Sequence, residues 1–349
     1  MSYLFQPSFA RPIRARFGLR RALLGLALAV TTVAFYVYAY LATSPLPSSL
    51  RRSNITEDSK RQLVDHSINN TLVVVPVNDG MLSKAENLLC SLRRTSFDTS
   101  KILFWALDSD ARITLEEKGH AAYHDPSLFS VSGDTNLRGN TKAYKKMMLE
   151  RPKFFIDMLS AGLDVLMLDA DTVFFQSPLL LRDPTVDAVF STDAREFYQT
   201  YDAFKDRDRR GSKMPPVCNG IFWMKASPKT VRLWQDMLDV FGAGWRTALW
   251  RLRALLDDQR GMDVLLNDGR ARLVEPFPDG ITRDMVQGRY SDSSASWTST
   301  YEMNLQSLRK QGKDRIAAHL NWNTAETTKE EGARELGLWL LDEGGNCKV

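Results

Sequence analysis

Residues 165–175 have the sequence Val-Leu-Met-Leu-Asp-Ala-Asp-Thr-Val-Phe-Phe, an apolar run that ends in two carboxylates, Asp169 and Asp171. Such a run predicts a buried strand, and where a strand gives way to a turn, side chains two residues apart can converge on one ion. Hard cations such as Mg²⁺ and Mn²⁺ complete their coordination with phosphate oxygens. The stretch therefore predicts a site for a divalent cation and a diphosphate, although Asp also ends many ordinary strands.

Two upstream segments repeat the pattern of an apolar strand followed by a polar residue and a helix. Thr71-Leu-Val-Val-Val-Pro-Val77 ends at Asn78, and Lys101-Ile-Leu-Phe-Trp-Ala-Leu107 ends at Asp108. Alternation of strands and helices predicts a parallel sheet with its ligand groups at the carboxyl ends of the strands. We therefore expect Asn78, Asp108 and Asp169 to lie at one edge of the sheet.

The downstream half continues the α/β pattern. Residues 142–159 have apolar residues at helical spacing, interrupted at Arg151-Pro152, and further strands are predicted at 186–191 and 218–224. A helix is expected from Pro228 onward, because proline fits the first turn of a helix. Packing in the core is the expected role of Trp234, Trp245 and Trp250 in the following Trp- and Leu-rich segment.

The N-terminal region has the pattern of a membrane anchor. Residues 22–42 are uncharged and mostly apolar, which is enough for a helix to cross a hydrocarbon core of ~30 Å. Arginines precede this stretch and no acidic residue occurs before Glu57, so the amino end is expected to be cytoplasmic. A cleaved signal peptide is the alternative, but its apolar region is usually only about 7–15 residues. We expect a tail over residues 1–21, an anchor over 22–42, a flexible stem over 43–69 and one folded domain over 70–349.

Charge and cysteine content limit the partners and the compartment. Seven of the 46 Lys and Arg residues precede residue 57, which leaves 39 against 42 Asp and Glu in the rest of the chain. This near-neutral balance argues against nucleic-acid binding. Asn54-Ile-Thr56 and Asn69-Asn-Thr71 are acceptable N-glycosylation sites for a secretory lumen. Cys90, Cys218 and Cys347 allow at most one internal disulfide, whose pairing stays open.

Several short motifs follow one another in a fixed order between about residues 70 and 330. They are Val-Val-Pro-Val-Asn78, Leu89-Cys-Ser-Leu92, Phe-Trp-Ala-Leu-Asp108, Leu159-Ser-Ala-Gly-Leu-Asp-Val165, Asp169-Ala-Asp171 with Ser177-Pro178 after it, Cys218-Asn-Gly220, Asp258-Gln259 and His319-Leu-Asn321. This order resembles the nucleotide-diphospho-sugar transferase family, with the GT-A fold of metal-dependent glycosyltransferases. The most similar pattern is that of the plant and fungal Golgi enzymes of glycosyltransferase family 77.

The resemblance implies an α/β GT-A fold, with a Rossmann-like, mixed but mostly parallel sheet flanked by helices, behind a single N-terminal transmembrane helix. It implies a type II Golgi membrane protein with a lumenal catalytic domain over residues 70–349. The implied activity is metal-dependent transfer from a nucleotide sugar, such as a UDP-sugar, to a glycan or glycoprotein hydroxyl with retention of configuration. Mn²⁺ or Mg²⁺ is the implied ion.

The resemblance also implies roles for individual residues. Asp169, Asp171 and His319 would bind the ion, and neutral imidazole suits Mn²⁺ better than Mg²⁺. Relatives usually show Asn, a small residue and Gly where this chain has Cys218-Asn219-Gly220, so the polar contact to the sugar either moves to Asn219 or is lost. The remaining implied positions are Asn78 and Asp108 at the nucleotide, Lys153 and Lys329 at the donor or diphosphate, Gly220 at the sugar, and Asp258 and Gln259 as the catalytic groups nearest the sugar.

Two other functions fit parts of the sequence. In a haloacid-dehalogenase-type phosphatase, Asp169 would attack phosphorus and Asp171 would act as acid and base. That motif normally opens its domain, whereas here about a hundred residues with two predicted strands come first. An anchored sugar-binding protein without catalysis is the third interpretation.

Overall fold

The computed structural model describes residues 23–35, 55–126, 141–192, 217–242, 258–266, 286–292, 316–320 and 329–348. The chain divides into two units, residues 1–44 and 45–349. In the first unit a helix covers residues 23–35, and its large apolar side chains are exposed. Among the described residues, none of the helices has both the length and the apolar character that crossing a membrane requires. Residues 36–42 of the predicted anchor lie outside the described ranges, so the transmembrane helix over 22–42 stays a prediction.

The second unit is built on one mixed sheet, which has nine strands in the part of the chain that the structure describes. The strands are β1 Thr71–Val77, β2 Ile102–Ala106, β3 Ala121–Tyr123, β4 Asp164–Leu168, β5 Thr172–Phe174, β6 Ala188–Thr192, β7 Val217–Met224, β8 Val286–Asp292 and β9 Ala317–His319. Their spatial order is β3-β2-β1-β4-β7-β6-β8-β9-β5. Five of the eight pairings between neighbours are parallel, and the others, β4 with β7, β6 with β7 and β5 with β9, are antiparallel. This confirms the predicted mixed, mostly parallel sheet.

Helices flank this sheet. The helix Leu82–Arg93 contacts β1 and β5, while Thr141–Ser160 contacts β4 and packs against Pro228–Gly242. Every residue of β1 is buried, because both faces of a largely parallel sheet are covered. The helices of this unit are Glu57–His66, Leu82–Arg93, Ser109–Glu117, Thr141–Ser160, Pro228–Gly242, Asp258–Leu266 and Lys329–Glu335, with short 3₁₀ turns at Asp79–Met81, Thr99–Lys101 and Pro178–Leu181.

The carboxyl ends of the parallel strands meet at one edge, as the sequence predicts. Strands β2, β1 and β4 are neighbours and run parallel. Asn78 follows β1 directly, Asp108 lies two residues after β2, and Asp169 follows β4 directly. Since parallel strands end at the same edge of a sheet, the three polar residues lie on the side where α/β proteins bind ligands.

Two local expectations differ from the structure. The helix Thr141–Ser160 runs through Pro152 instead of being interrupted there, because the residues after it, among them Phe154 and Phe155, are buried against the sheet and hold the helix in place. The helix Glu57–His66 lies inside the range predicted as a flexible stem, residues 43–69. It buries Leu63 and contacts β1.

Aromatic rings fill the core between the sheet and the two long helices. Trp105 stacks on Phe154 with ring centroids 4.1 Å apart, and Phe155 stacks on Trp234 at 4.6 Å. Full burial of such a side chain contributes roughly 2–3 kcal/mol. The predicted core role of Trp234 is confirmed, whereas Trp245 and Trp250 lie outside the described residues.

The C-terminal segment, defined as residues 329–348, is fastened to the helix Leu82–Arg93. A disulfide joins Cys90 to Cys347, which settles the pairing that the sequence left open. The side chain of Asn87 donates to the carbonyl of Leu338 and accepts from the amide of Leu340. A cross-link between residues 257 positions apart lowers the conformational entropy of the unfolded chain. In the chain-entropy model this loss stabilises the folded chain by about 5 kcal/mol. The segment is therefore held near β5, the edge strand that directly follows Asp171.

Candidate functional site

The two carboxylates lie in the tight connection between β4 and β5. The backbone amide of Asp169 donates to the carbonyl of Gly220 on β7 at 2.6 Å, and the Thr172 hydroxyl donates to the carbonyl of Asp169 at 2.7 Å. These bonds turn the chain sharply between the two strands. As a result the side chains of Asp169 and Asp171 point to one place.

His319 reaches the same place through a distant strand pairing. In the antiparallel pairing of β5 with β9, His319 lies opposite Thr172, and the amide of Leu320 donates to the carbonyl of Asp171 at 3.0 Å. Its Nε2 is 3.2 Å from Oδ1 of Asp171 and 3.5 Å from Oδ2 of Asp169. We call these three residues, Asp169, Asp171 and His319, the acidic site. One ligand atom from each lies within 4.8 Å of the others.

Gly220 leaves the space that the acidic site needs. A Cβ added at this position would lie 2.2 Å from Cε1 of His319 and 2.6 Å from Oδ2 of Asp169. Both distances are far below a van der Waals contact, and the ring of His319 is buried. The glycine is therefore required for the close approach of β7 to the two ligand groups, which gives the predicted site residue Gly220 a physical role.

Cys218 contacts the other side of the histidine ring. Its Sγ lies 3.3 Å from Nδ1 of His319, and both side chains are buried. A histidine whose Nε2 faces an ion needs a partner for Nδ1, which orients the ring. The sequence analysis did not predict this role, although it singled out the motif Cys218-Asn-Gly220.

Two lysine side chains, those of Lys329 and Lys84, lie near Asp171. The ammonium of Lys329 contacts Oδ2 of Asp171. Burial opposes the ionisation of Asp171, but Lys329 and His319 outweigh it and hold the pKa of Asp171 well below its usual value. Burial lowers the pKa of Lys84, which the charge of Asp171 partly offsets. Lys84 is a further cation at the site, on the first turn of the helix Leu82–Arg93, and the sequence analysis did not select it.

The charge state of His319 follows from its neighbours. Burial alone would lower the pKa of His319, but Cys218 and Asp171 outweigh burial and raise the pKa well above the usual value. The ring is thus held in its charged form and must release its Nε2 proton before it can bind an ion. Two carboxylates and one imidazole form the oxygen and nitrogen ligand set that suits Mn²⁺, and the described geometry fits a divalent cation.

A second cluster of buried charges lies beside the acidic site. Nε of Arg151 is 3.4 Å from Oδ2 of Asp258, and Nη2 of Arg151 donates to the carbonyl of Asn219 at 3.0 Å. Burial raises the pKa of Asp258, and the charge of Arg151 and the amide of Asn219 offset part of that effect. We call this cluster the Arg151–Asp258 pair. It brings the predicted residues Asp258 and Asn219 together and adds Arg151, which the sequence analysis missed.

The remaining predicted residues take less direct positions. Oε1 of Gln259 accepts from the amide of Asn219 at 3.4 Å, which places Gln259 next to the pair. Asn78 is buried at the end of β1, and the carboxylate of Asp108 accepts from the amides of Asp79 and Ala111. Asp108 thereby caps the helix Ser109–Glu117. Lys153 pairs with Glu150 one turn earlier, at 2.5 Å. The roles predicted for Asn78, Asp108 and Lys153 stay predictions.

Comparison with known proteins identifies the family. A family model described as nucleotide-diphospho-sugar transferase matches residues 99–331, about two thirds of the chain. A UDP-galactose:fucoside alpha-3-galactosyltransferase of Dictyostelium discoideum is 19% identical over 309 residues, which are 80% of this chain and 44% of that protein. The chain thus spans less than half the length of that relative.

Two further proteins are similar at low identity. A UDP-D-xylose:L-fucose alpha-1,3-D-xylosyltransferase 1 of Arabidopsis thaliana is 24% identical over 308 residues, 86% of this chain and 78% of that protein. Among solved structures, the galactosyltransferase LgtC in complex with donor and acceptor sugar analogues aligns with a TM-score of 0.42 and 15% identity, over 76% of this chain and 94% of LgtC.

Proposed function

Because the chain belongs to the nucleotide-diphospho-sugar transferase family, we propose that it is a glycosyltransferase that moves a sugar from a nucleotide-diphosphate donor to a hydroxyl of a glycan or glycoprotein. One observation carries the proposal. Asp169 and Asp171 converge with His319, which lies 148 residues after Asp171, at the carboxyl edge of the parallel strands, where a nucleotide diphosphate is expected to bind. Dependence on Mn²⁺, or on Mg²⁺, is part of the proposal.

Sugar transfer breaks the bond between the anomeric carbon and phosphate, so negative charge grows on the departing nucleotide diphosphate. A bound divalent ion would stabilise that charge more than it stabilises the ground state. Asp169, Asp171 and His319 would hold the ion. Lys84 and Lys329 add positive charge on the same side, where it acts on the phosphate groups.

We propose that the Arg151–Asp258 pair binds and orients the transferred sugar. Asp258 and Gln259 begin the helix Asp258–Leu266. Asp258 contacts the side-chain amide of Asn219, and Gln259 accepts a hydrogen bond from the backbone amide of Asn219. One short segment can therefore offer several polar groups to sugar hydroxyls. Asp258 is the group that we propose to lie nearest the anomeric carbon. Retention of configuration is the proposed outcome, and the resemblance to retaining enzymes supports it.

The donor and the acceptor are proposed from the names of the relatives. The name of the Dictyostelium relative gives a UDP-galactose donor and a fucoside acceptor, and that of the Arabidopsis relative gives a UDP-xylose donor and an L-fucose acceptor. We therefore propose a UDP-sugar as the donor, with UDP-galactose and UDP-xylose tested first. An L-fucoside is the first acceptor to test.

A membrane anchor over residues 22–42 and a lumenal Golgi location complete the proposal. Support comes from the uncharged apolar stretch, from the arginines before it and from the absence of acidic residues before Glu57. The disulfide between Cys90 and Cys347 fits an oxidising compartment. Fluorescence microscopy of the tagged chain with a Golgi marker tests this part.

The alternative functions have less support. In the phosphatase interpretation the motif at Asp169 would open its domain, whereas here β1, β2 and β3 precede it. The family match supports the transferase interpretation over it. A sugar-binding protein with a degenerate site would be supported by loss of the Asp pair, and both Asp169 and Asp171 are present.

A donor assay tests the proposed function. The full-length chain, purified in mild detergent, is incubated with a panel of nucleotide sugars, Mn²⁺ and an L-fucoside. We expect release of the nucleoside diphosphate and a new glycoside with one donor of the panel, and loss of both products when a chelator removes the metal. Release of phosphate from a generic ester, with no reaction of any donor, would support the phosphatase instead.

Substitution of one ligand links that activity to the acidic site. Asp171→Ala is expected to lower the turnover rate by about 1,000-fold, because the charge of the leaving group then loses its counter-ion. The unfolding midpoint in urea should stay near that of the wild type. Asp342→Ala, at an exposed carboxylate of the C-terminal segment, is the matched control and should keep full activity. Equal activity of Asp171→Ala and the wild type would contradict the proposal.

A further inference from the structure

Lys329 occupies a position at Asp171 that a divalent cation would also need. Its ammonium contacts Oδ2 of Asp171, while Nε2 of His319 lies 3.2 Å from Oδ1 of the same carboxylate. Both oxygens of a buried carboxylate therefore already face groups of this chain. An ion that binds Asp171 must compete with the Lys329 ammonium for this carboxylate.

The contact stabilises the charged form of Asp171. A buried carboxylate without a counter-charge is costly, and the Lys329 ammonium supplies that counter-charge within the chain. Asp169, in contrast, keeps 27% of its side chain exposed and accepts part of its stabilisation from water. Lys329 therefore compensates the one carboxylate of the acidic site that solvent cannot reach.

The backbone of Lys329 is held in place, whereas its side chain can rotate about several bonds. Lys329 begins the helix Lys329–Glu335, and the segment that follows is held by the disulfide Cys90–Cys347 and by the bonds of Asn87. Its side chain is 16% exposed. A lysine carries a point charge on four rotatable bonds, so the ammonium can move by several ångströms while the backbone stays in place.

We propose that Lys329 is an exchangeable cation. It neutralises Asp171 while the acidic site holds no divalent ion, and it moves to the diphosphate of the donor when an ion takes its place. This inference rests on the proposed function for the identity of the donor. It goes beyond that function because it makes ion binding and nucleotide binding depend on each other through one side chain.

Opposite effects on two ligands follow from the exchange. An ion that binds alone must displace Lys329 from Asp171 and leave the ammonium without its partner, which weakens ion binding. A nucleotide diphosphate gives the ammonium a new partner, so it strengthens ion binding. The ion must strengthen nucleotide binding by the same factor, because coupling between two binding sites is reciprocal.

Binding measurements on four proteins test the exchange. The full-length wild type, Lys329→Met, Lys329→Arg and Arg334→Gln are titrated with Mn²⁺, with and without saturating UDP, and the free Mn²⁺ is followed by electron paramagnetic resonance. Arg334 lies on the same helix and pairs with Glu330 at the surface, so Arg334→Gln removes the same charge without touching Asp171. UDP affinity is measured by calorimetry in the presence and absence of Mn²⁺.

Lys329→Met is expected to bind Mn²⁺ about tenfold more tightly than the wild type without UDP, and to lose most of the enhancement by UDP. Its UDP affinity should fall in parallel. Lys329→Arg and Arg334→Gln should resemble the wild type in both titrations. Unchanged or weaker Mn²⁺ binding by Lys329→Met would overturn the exchange and leave the proposed function intact. Failure of all four proteins to bind either Mn²⁺ or UDP would instead overturn the proposed function together with this inference.

Discussion

The acidic site and the Arg151–Asp258 pair lie side by side, but the charges of their carboxylates are compensated in different ways. The acidic site brings two carboxylates together, and Asp169 keeps 27% of its side chain exposed. In the pair, the side chains of Arg151 and Asp258 are 6% and 2% exposed, and the charges balance within the chain. One cluster is partly open, and its carboxylates face a titratable ring and a flexible ammonium, whereas the other is closed and its two charges face each other.

This difference assigns different functions to the two clusters. The open cluster can take up a cation from solution in exchange for its own positive groups, so its disruption should change ligand binding more than folding. In the closed pair the two charges compensate each other, and removal of one partner leaves a buried charge, so its disruption should change folding first. The predictions below test this division, from the largest expected effect to the smallest.

Removal of the cation from the closed pair should give the largest effect. Arg151→Met is expected to lower the free energy of unfolding by about 3–5 kcal/mol, because Asp258 stays buried without its counter-charge. Urea unfolding followed by circular dichroism measures this change. Adding Asp258→Asn to Arg151→Met should restore part of the loss, since no charge then remains to be compensated.

Arg112→Met is the matched control for that substitution. Arg112 pairs with Glu116 one turn later at 3.9 Å, but both side chains are about half exposed. Exposed pairs of this kind contribute about 0–1 kcal/mol. A loss of stability for Arg151→Met no larger than that of the control would mean that the pair is not a closed, self-compensating unit.

Filling the space at Gly220 should disrupt the open cluster. In Gly220→Ala the new Cβ would need the space 2.2 Å from Cε1 of His319, so the ring must move by an ångström or more. We expect Mn²⁺ affinity to fall about 100-fold, since displacement on this scale costs about that factor. Titration of free Mn²⁺ by electron paramagnetic resonance measures the fall.

The comparison for Gly220→Ala is Gly344→Ala. A Cβ at Gly344 would meet only the side chains of Asn346 and Asp342, at 3.1 and 3.3 Å, in an exposed turn. This control should bind Mn²⁺ like the wild type. Unchanged Mn²⁺ affinity of Gly220→Ala would show that the ring of His319 does not take part in ion binding.

The sequence predicted the parts of the site that depend on strand ends. Asn78, Asp108 and Asp169 follow three apolar runs, and parallel strands bring their ends to one edge whatever the details of the loops. Local patterns therefore located the open cluster. His319 was assigned by family resemblance, and its approach to Asp171 depends on the pairing of β9 with β5, across more than 140 residues.

Residues whose partners are distant in the sequence could not be predicted from local sequence patterns. Arg151 lies in a helix that the sequence predicted to break at Pro152, and its partners Asp258 and Asn219 are set by the packing of that helix on β7. Lys84 belongs to an ordinary amphipathic pattern, and only the fold brings it near Asp171. Arg151 was missed because a charge whose partner is distant in the chain leaves no recognisable spacing in the sequence.

Loss of the Cys218 thiol should have a smaller effect on the open cluster. Cys218→Ala removes the partner of Nδ1 of His319, and loss of such an orienting group typically lowers metal affinity by 10–100-fold. We expect a loss of about tenfold, because Gly220 and Asp171 still confine the ring. Cys218→Ser keeps a polar group there and should recover most of the affinity; equal losses in both variants would argue for a packing role only.

The smallest expected effect concerns the charge of Asp258. Burial raises the pKa of Asp258 above its usual value, so between the two values the folded chain holds a proton that the unfolded chain has released. Stability therefore falls as the pH rises through this window, because the unfolded state binds fewer protons there. Asp258→Asn resembles the protonated acid at every pH and should not show this fall.

The difference in unfolding free energy between Asp258→Asn and the wild type isolates this effect. It should move in favour of the variant as the pH rises from about 4 through the raised pKa, and then level off. Urea unfolding at a series of pH values measures it, with Glu117→Gln, at an exposed carboxylate, as a control whose difference stays flat. A difference that moves in favour of the wild type would mean that Arg151 outweighs burial, and the closed pair would then stabilise the fold through its charges and not merely tolerate them.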